Sequence, residues 1–136
     1  MFAYGTLRKG VAIPLKKKIG EDMEWVGLSQ IPGKMYDIGK YPGALPANAD
    51  EKRSFIKGEV IKIRNPRKVF KILDEYEGFD PRHVDKSEYY REKKTVQLDD
   101  GTKIDAWVYW YNLPVQGKRR IRHKDYLDYL KKKKSA

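Results

Sequence analysis

Short apolar runs punctuated by glycine and proline dominate the chain, and their spacing is more often that of strands than of helices. Residues 1–4 are apolar and stop at Gly5-Thr6, which predicts a short first strand ended by a turn. Residues 25–29 and 34–38 read as two strand pieces broken by Pro32-Gly33. Residues 39–53, with Gly39, Pro42, Gly43, Pro46 and Asn48-Ala49-Asp50, read as a loop, and 54–63 as a further strand. Asn65-Pro66 then predicts a helix start, with Asn as the cap and Pro at the first helical position. Val69, Ile72, Leu73 and Tyr76 recur at helical spacing, and Gly78 ends the pattern before a loop over 79–87. Residues 89–98 and 103–111 flank Asp99-Asp100-Gly101, a hairpin signal. In the second of these strands Ile104, Ala106, Val108 and Trp110 alternate with Trp107, Tyr109 and Tyr111, so both faces are apolar and a central, doubly covered strand is expected. A basic loop and a last short helix over about 123–132 follow Pro114. The pattern is that of an α+β domain with a curved or closed sheet, a central helix and short flanking helices.

Composition narrows the chemistry. The chain has 136 residues and no cysteine, which fits one domain and excludes disulfides, thiolate catalysis, and Cys-ligated zinc or iron–sulfur centres. Its two histidines, His83 and His123, rule out a His-rich metal site, and both read as ordinary surface residues. Ser29, Ser54 and Ser87 lack a nucleophile-elbow context. The longest apolar run spans residues 106–111, far short of the roughly 20 residues of a membrane helix, so a cytoplasmic protein is expected. Few Asn and Gln beside abundant Lys and Glu suggest a heat-adapted source.

The net charge of +11 invites a polyanion partner. It is unevenly spread: residues 115–136 hold nine Lys/Arg and two Asp, a net +7, and residues 1–114 hold 21 against 17, a net +4. The expected organisation is therefore a body over 1–114 and a basic C-terminal loop and helix, 115–136, packed on it. No nucleic-acid motif accompanies the charge, and lysines 131–134 suit a helix C-terminus, so nucleic-acid binding is the lesser alternative.

Two segments carry candidate chemistry. Leu73-Asp74-Glu75-Tyr76-Glu77-Gly78 crowds three carboxylates onto a helix C-terminal turn, where the dipole favours cations. Dipole and neighbouring acids both push a carboxyl pKa upward, toward the range of a general base; a solvated acidic turn is the competing reading. Tyr4-Gly5-Thr6-Leu7 runs a strand into a glycine turn, whose free N–H groups suit a carboxylate or an oxyanion, and a plain tight turn explains it equally.

Together these segments resemble the gamma-glutamylcyclotransferase-like proteins, a group that includes gamma-glutamylamine cyclotransferases and the butirosin-pathway cyclotransferase. Tyr4-Gly5-Thr6-Leu7 with Arg8-Lys9-Gly10 is similar to the family's first signature. Tyr36-Asp37, Tyr41-Pro42-Gly43, Gly58-Glu59-Val60, Leu73-Asp74 with Glu77-Gly78, Tyr89 with Arg91, and Ala106-Trp107-Val108-Tyr109 follow in the family's order. The resemblance implies the family's small barrel with a central helix, and Glu77 as the acid/base. It implies that Tyr4, Gly5, Thr6 and Leu7 hold the gamma-glutamyl portion of a small substrate, and that Tyr89, Arg91 and Tyr109 line or brace the cavity. The implied reaction is a lyase- or acyltransferase-type cyclisation: the substrate's alpha-amine attacks its own gamma-carbonyl, releasing 5-oxoproline and an amine, with no metal or cofactor. A non-catalytic, ligand-binding member of the fold is the alternative. The chain departs from the family pattern at Ile13, where many members carry Asn, and in its short first strand.

Overall fold

A computed structural model describes residues 1–48 and 53–135. Among these, seven strands and three helices follow in the order β1 (Phe2–Ala3), α1 (Lys16–Ile19), β2 (Met23–Asp37), β3 (Pro42–Pro46), β4 (Phe55–Ile63), α2 (Pro66–Tyr76), β5 (Tyr89–Leu98), β6 (Lys103–Tyr111), β7 (Arg119–Ile121) and α3 (Tyr126–Ser135). Short 3-10 turns lie at Gly20–Asp22 and Val84–Lys86. The strands run β1-β4-β2-β5-β6, all antiparallel, with β3 and β7 paired to the far half of β2. The result is an α+β fold with a nearly closed, barrel-like sheet.

Pro32-Gly33 does not break a strand, as the sequence pattern suggested, but lets one long strand change sheets. The first half of β2 pairs with β4 up to Pro32↔Phe55, with a bulge between Trp25 and Gly27. From Gly33 onward it pairs with β3 on one side and β7 on the other. Gly33 is required here because a Cβ would lie 2.7 Å from Ile56 Cδ1 and 3.0 Å from the Leu45 carbonyl oxygen. The expected loop over 39–53 likewise contains β3, whose Pro-Gly composition hides it; residues 49–52 lie outside the described residues. β3 exists because β2 supplies its hydrogen bonds and Ala44 is fully buried. In the C-terminal segment the expected basic loop contains β7, and α3 begins at Tyr126 rather than near residue 123.

β6 is not central: among the described residues it ends the hydrogen-bonded path and pairs only with β5. Both of its faces are apolar for another reason. Ala106, Val108 and Trp110 point into the barrel with Ile31, Met35 and Ile56, and Tyr126 and Tyr129 of α3 pack there too. Tyr109 and Tyr111 point the other way, into a second core with Val69, Phe70 and Leu73 of α2. β1 and the residue after it divide in the same manner, Phe2 and Tyr4 to the barrel and Ala3 to the α2 side. The fold therefore places the end of β1 and the end of α2 against one stretch of β6.

α2 starts at Pro66 as expected, but Asn65 does not cap it through its side chain. Asn65 is left-handed (φ 52°), and its amide donates to Asp22 Oδ1 at 2.9 Å instead. The far end closes as a Schellman motif: Phe79 N–H donates to the Asp74 oxygen at 2.8 Å and Gly78 N–H to the Glu75 oxygen at 3.2 Å, with Gly78 at φ +65°. That closure fixes where the carboxylates of the last turn point.

Candidate active site

A cavity of about 130 Å³ lies where β1, the end of α2 and the starts of β3 and β5 meet. Tyr4, Gly5, Thr6, Leu7, Glu77, Tyr89 and Tyr109 all line it, so the structure brings together every candidate site residue except Arg91. Arg91 lies behind the wall. It grips Asp74 with two bonds, Nε to Oδ1 at 2.8 Å and Nη2 to Oδ2 at 3.1 Å, and its guanidinium lies over Phe70 and Trp107 at 4.7 and 4.6 Å. Tyr109 hydroxyl donates to the same Asp74 Oδ1 at 2.6 Å. Arg91 and Asp74 thus brace Tyr109 rather than meet the cavity's contents.

The three carboxylates of the helix end have separate fates. Asp74 is tied up by Arg91 and Tyr109, Glu75 is exposed, and Glu77 faces the cavity. Glu77 N–H closes the helix onto the Leu73 oxygen at 2.8 Å, which aims the side chain inward. Its carboxyl is pushed up to about 8, first by burial and then by the Glu88 and Asp74 carboxylates. Burial comes first, a cause the sequence could not supply. Among the described residues no donor pairs with this carboxyl.

The tyrosines around it have committed their protons. Tyr4 hydroxyl donates to the Tyr109 carbonyl at 2.6 Å and Tyr89 hydroxyl to the Pro42 carbonyl at 2.8 Å. Burial holds the phenols of Tyr4, Tyr89 and Tyr109 well above their ordinary range, so they stay neutral donors. Thr6 and Tyr76 hydroxyls approach at 3.3 Å at the cavity's outer side. The Met1 α-amine, lowered by burial to about 6, is engaged with the Ile61 carbonyl at 2.8 Å, which leaves Glu77 as the donor-free lining group able to exchange a proton near neutral pH.

Facing it is the turn after β1. Arg8 N–H closes onto the Gly5 oxygen at 3.2 Å, whereas the N–H groups of Gly5, Thr6 and Leu7 find no protein acceptor among the described residues. Gly5 permits the approach of Pro42, whose Cγ would lie 2.9 Å from any added Cβ. Successive free N–H groups at such a turn attract a carboxylate or a developing oxyanion. Arg8 itself turns away and is buried, bonding Asp125 Oδ1 at 2.6 Å and Glu59 Oε2 at 3.5 Å, while Lys9 N–H donates to Glu59 Oε1 at 2.6 Å. The turn is thereby anchored to both β4 and the start of α3.

Tyr41 and Glu88 are among the lining residues that the sequence pattern does not assign to the site. Tyr41 hydroxyl donates to Glu88 Oε2, a bond that with burial raises the phenol to about 12. Only the Tyr41-Pro42-Gly43 resemblance hinted at the first, and nothing in an ordinary charge before a strand marked the second. Among the described residues no group of three or more His, Asp or Glu could hold a metal ion, and no helix is long and apolar enough to cross a membrane.

The family model described as gamma-glutamyl cyclotransferase, AIG2-like, matches residues 1–128. A provisionally named gamma-glutamylcyclotransferase of Methanocaldococcus jannaschii is 34% identical over 133 residues, covering 95% of this chain and 96% of that one. Escherichia coli YtfP, named a gamma-glutamylcyclotransferase family protein, is 31% identical over 135 residues, with 94% and 96% covered. Its solution structure, aligned at 30% identity, has a TM-score of 0.64 over 95% of this chain and 96% of its own. A crystal structure from Pyrococcus horikoshii shares the fold, at TM-score 0.63 and 19% identity over 99% and 95% of the two chains.

Proposed function

The chain belongs to the gamma-glutamyl cyclotransferase, AIG2-like family, and from that premise we propose that it cyclises a small gamma-glutamyl compound to 5-oxoproline, with Glu77 as the acid/base. The supporting observation is the pairing, in one cavity, of a donor-free carboxyl raised to about 8 with the unclaimed N–H groups of Gly5, Thr6 and Leu7.

The chemistry asks little of the protein because the nucleophile is part of the substrate. Glu77 takes a proton from the alpha-ammonium, and the freed amine attacks the gamma-carbonyl carbon. A carbon–nitrogen bond forms, and the carbonyl oxygen becomes an oxyanion that backbone N–H groups of the turn stabilise. The tetrahedral centre collapses, the original amide bond breaks, and Glu77 returns its proton to the departing nitrogen. The attacking nitrogen sheds a second proton as it becomes the lactam N–H, matching the one gained when the released amine becomes an ammonium. No water is consumed. Folding the substrate so that its amine meets its own carbonyl is worth several kcal/mol in such intramolecular reactions. The neutral tyrosine wall and the backbone turn are suited to that task.

The test is 5-oxoproline release across a panel of gamma-glutamyl amino acids, gamma-glutamyl amines and gamma-glutamyl-lysine. Glu77→Gln is expected to lose at least ~100-fold in kcat/KM, in keeping with removal of a general base, without a fall in melting temperature. Turnover near the wild-type rate in that variant overturns the assignment of Glu77. Tight binding without release by the wild type would instead make the protein a non-catalytic binder of these compounds.

A further inference from the structure

The cavity holds an imbalance that the reaction above does not use. Two carboxylates line it, Glu77 and Glu88, and among the described residues no Lys or Arg side chain does, in a chain with 30 Lys and Arg against 19 Asp and Glu. Glu88 is not there by drift. Its backbone is clamped from both sides, N–H to the Gly78 oxygen at 3.0 Å and carbonyl accepting from Asn112 N–H at 2.8 Å. The first bond ties the start of β5 to the end of α2 and sets Glu88 beside Glu77. Gly78 makes the approach possible, since a Cβ there would lie 3.3 Å from that of Glu88. One carboxylate oxygen, Oε2, accepts from Tyr41, and among the described residues Oε1 has no donor. A half-buried carboxylate with one oxygen unclaimed and a like charge beside it is an electrostatic complement to a cationic group of a ligand.

We propose that Glu88, held by Tyr41, is a substrate-binding residue that takes the alpha-ammonium of the gamma-glutamyl compound and so restricts the site to ligands carrying a free alpha-amine. The inference rests on the reading of the site as a cyclotransferase. It divides the labour of the two acids: Glu88 grips the nitrogen and Glu77 moves its proton. It also has a consequence for release. In 5-oxoproline the gripped nitrogen has become a neutral lactam N–H, so the ion pair is gone and only the product's carboxylate remains, next to a carboxylate that repels it. Glu88 therefore favours substrate over product.

Steady-state kinetics with product inhibition separates the two ligands. Glu88→Gln is expected to raise KM for a gamma-glutamyl substrate at least tenfold, more than it lowers kcat, while Ki for 5-oxoproline stays level or tightens. Tyr41→Phe is expected to shift both in the same directions and by less. The acidic limb of the pH profile should also move to lower pH in Glu88→Gln. Glu77 then faces one like charge fewer; the other titratable groups around the cavity are Asp74 on α2, the Met1 α-amine, which burial lowers to about 6, and the phenols of Tyr4, Tyr41, Tyr76, Tyr89 and Tyr109. Equal factors on KM and Ki, or no change in either, overturn the inference, because a merely structural Glu88 would not discriminate the charged amine from the lactam. Should the wild type bind without turnover, the cyclotransferase reading falls, and the same comparison is made from calorimetric Kd values of the two ligands. Absence of binding to both overturns the two readings together.

Discussion

Glu77 sits where burial, two neighbouring carboxylates and the carbonyl end of α2 all oppose its charge, and this has effects of opposite sign on activity and stability. The proposed base acts as the carboxylate, so kcat/KM should climb with pH and level off above a limb near 8. An acid whose folded pKa lies above its ordinary 4.5 binds more protons folded than unfolded between these values. Stability from this group is therefore full below about 4.5, falls as pH rises through that window, and stays low above about 8. Glu77→Gln should be more stable than wild type at pH 9, by more than ~1 kcal/mol in urea unfolding, and show no such gain at pH 4. An equal gain at both pH values would mean that the carboxyl is not held in its uncharged form by the fold. Glu77 was legible because acids at a helix C-terminus break a local rule. Glu88 broke none: its meaning depends on the contact between Gly78 and the start of β5, which joins two segments separated by a loop.

Among the elements, the Gly5–Leu7 turn that faces Glu77 hangs from a strand of two residues. β1 holds by pairing Phe2↔Val60 and Ala3↔Glu59, and Gly58 of β4 is what lets it approach. A Cβ at Gly58 would lie 2.5 Å from the Ala3 carbonyl oxygen and 2.6 Å from the Phe2 ring. Gly58→Ala should cost about 1–3 kcal/mol in denaturant unfolding and depress kcat/KM, since the displaced strand carries Tyr4 and the Gly5–Leu7 turn. Unchanged stability would show that β1 is free to yield. The hairpin β5–β6 and helix α2 were plain in the sequence because a turn signal and a helical period are local. The sheet-switching course of β2, the existence of β3 and β7 and the edge position of β6 were not. Each depends on which distant segment supplies the partner, and a Pro-Gly pair reads the same whether a strand ends there or bends.

For the whole molecule, the basic C-terminal segment is joined to the site rather than appended to it. Tyr126 and Tyr129 enter the barrel core, and Asp125 both accepts from Leu127 N–H at 2.8 Å at the start of α3 and pairs with buried Arg8. Asp125→Ala would leave Arg8, 5% exposed, with the 3.5 Å contact to Glu59 as its remaining ion pair. A loss of roughly 3–5 kcal/mol is expected, read as a fall in melting temperature, together with weaker binding of gamma-glutamyl compounds as the Gly5–Leu7 turn loosens. Full stability in that variant would make the pair dispensable. The positive charge and the acidic cavity are then separate features, one spread over the surface and the tail, the other enclosed. The family resemblance, the α+β class, the central helix with its misplaced acids, and the candidacy of Tyr4 to Leu7, Glu77, Tyr89 and Tyr109 were legible in the amino-acid sequence, because they lie in local patterns and ordered motifs. That burial is the main cause of Glu77's raised pKa, that Arg91 braces from behind, and that Glu88 and Tyr41 join the wall follows from the three-dimensional packing alone. Desolvation and the approach of like charges are properties of the space between elements, and that space exists only once the sheet has curled onto α2.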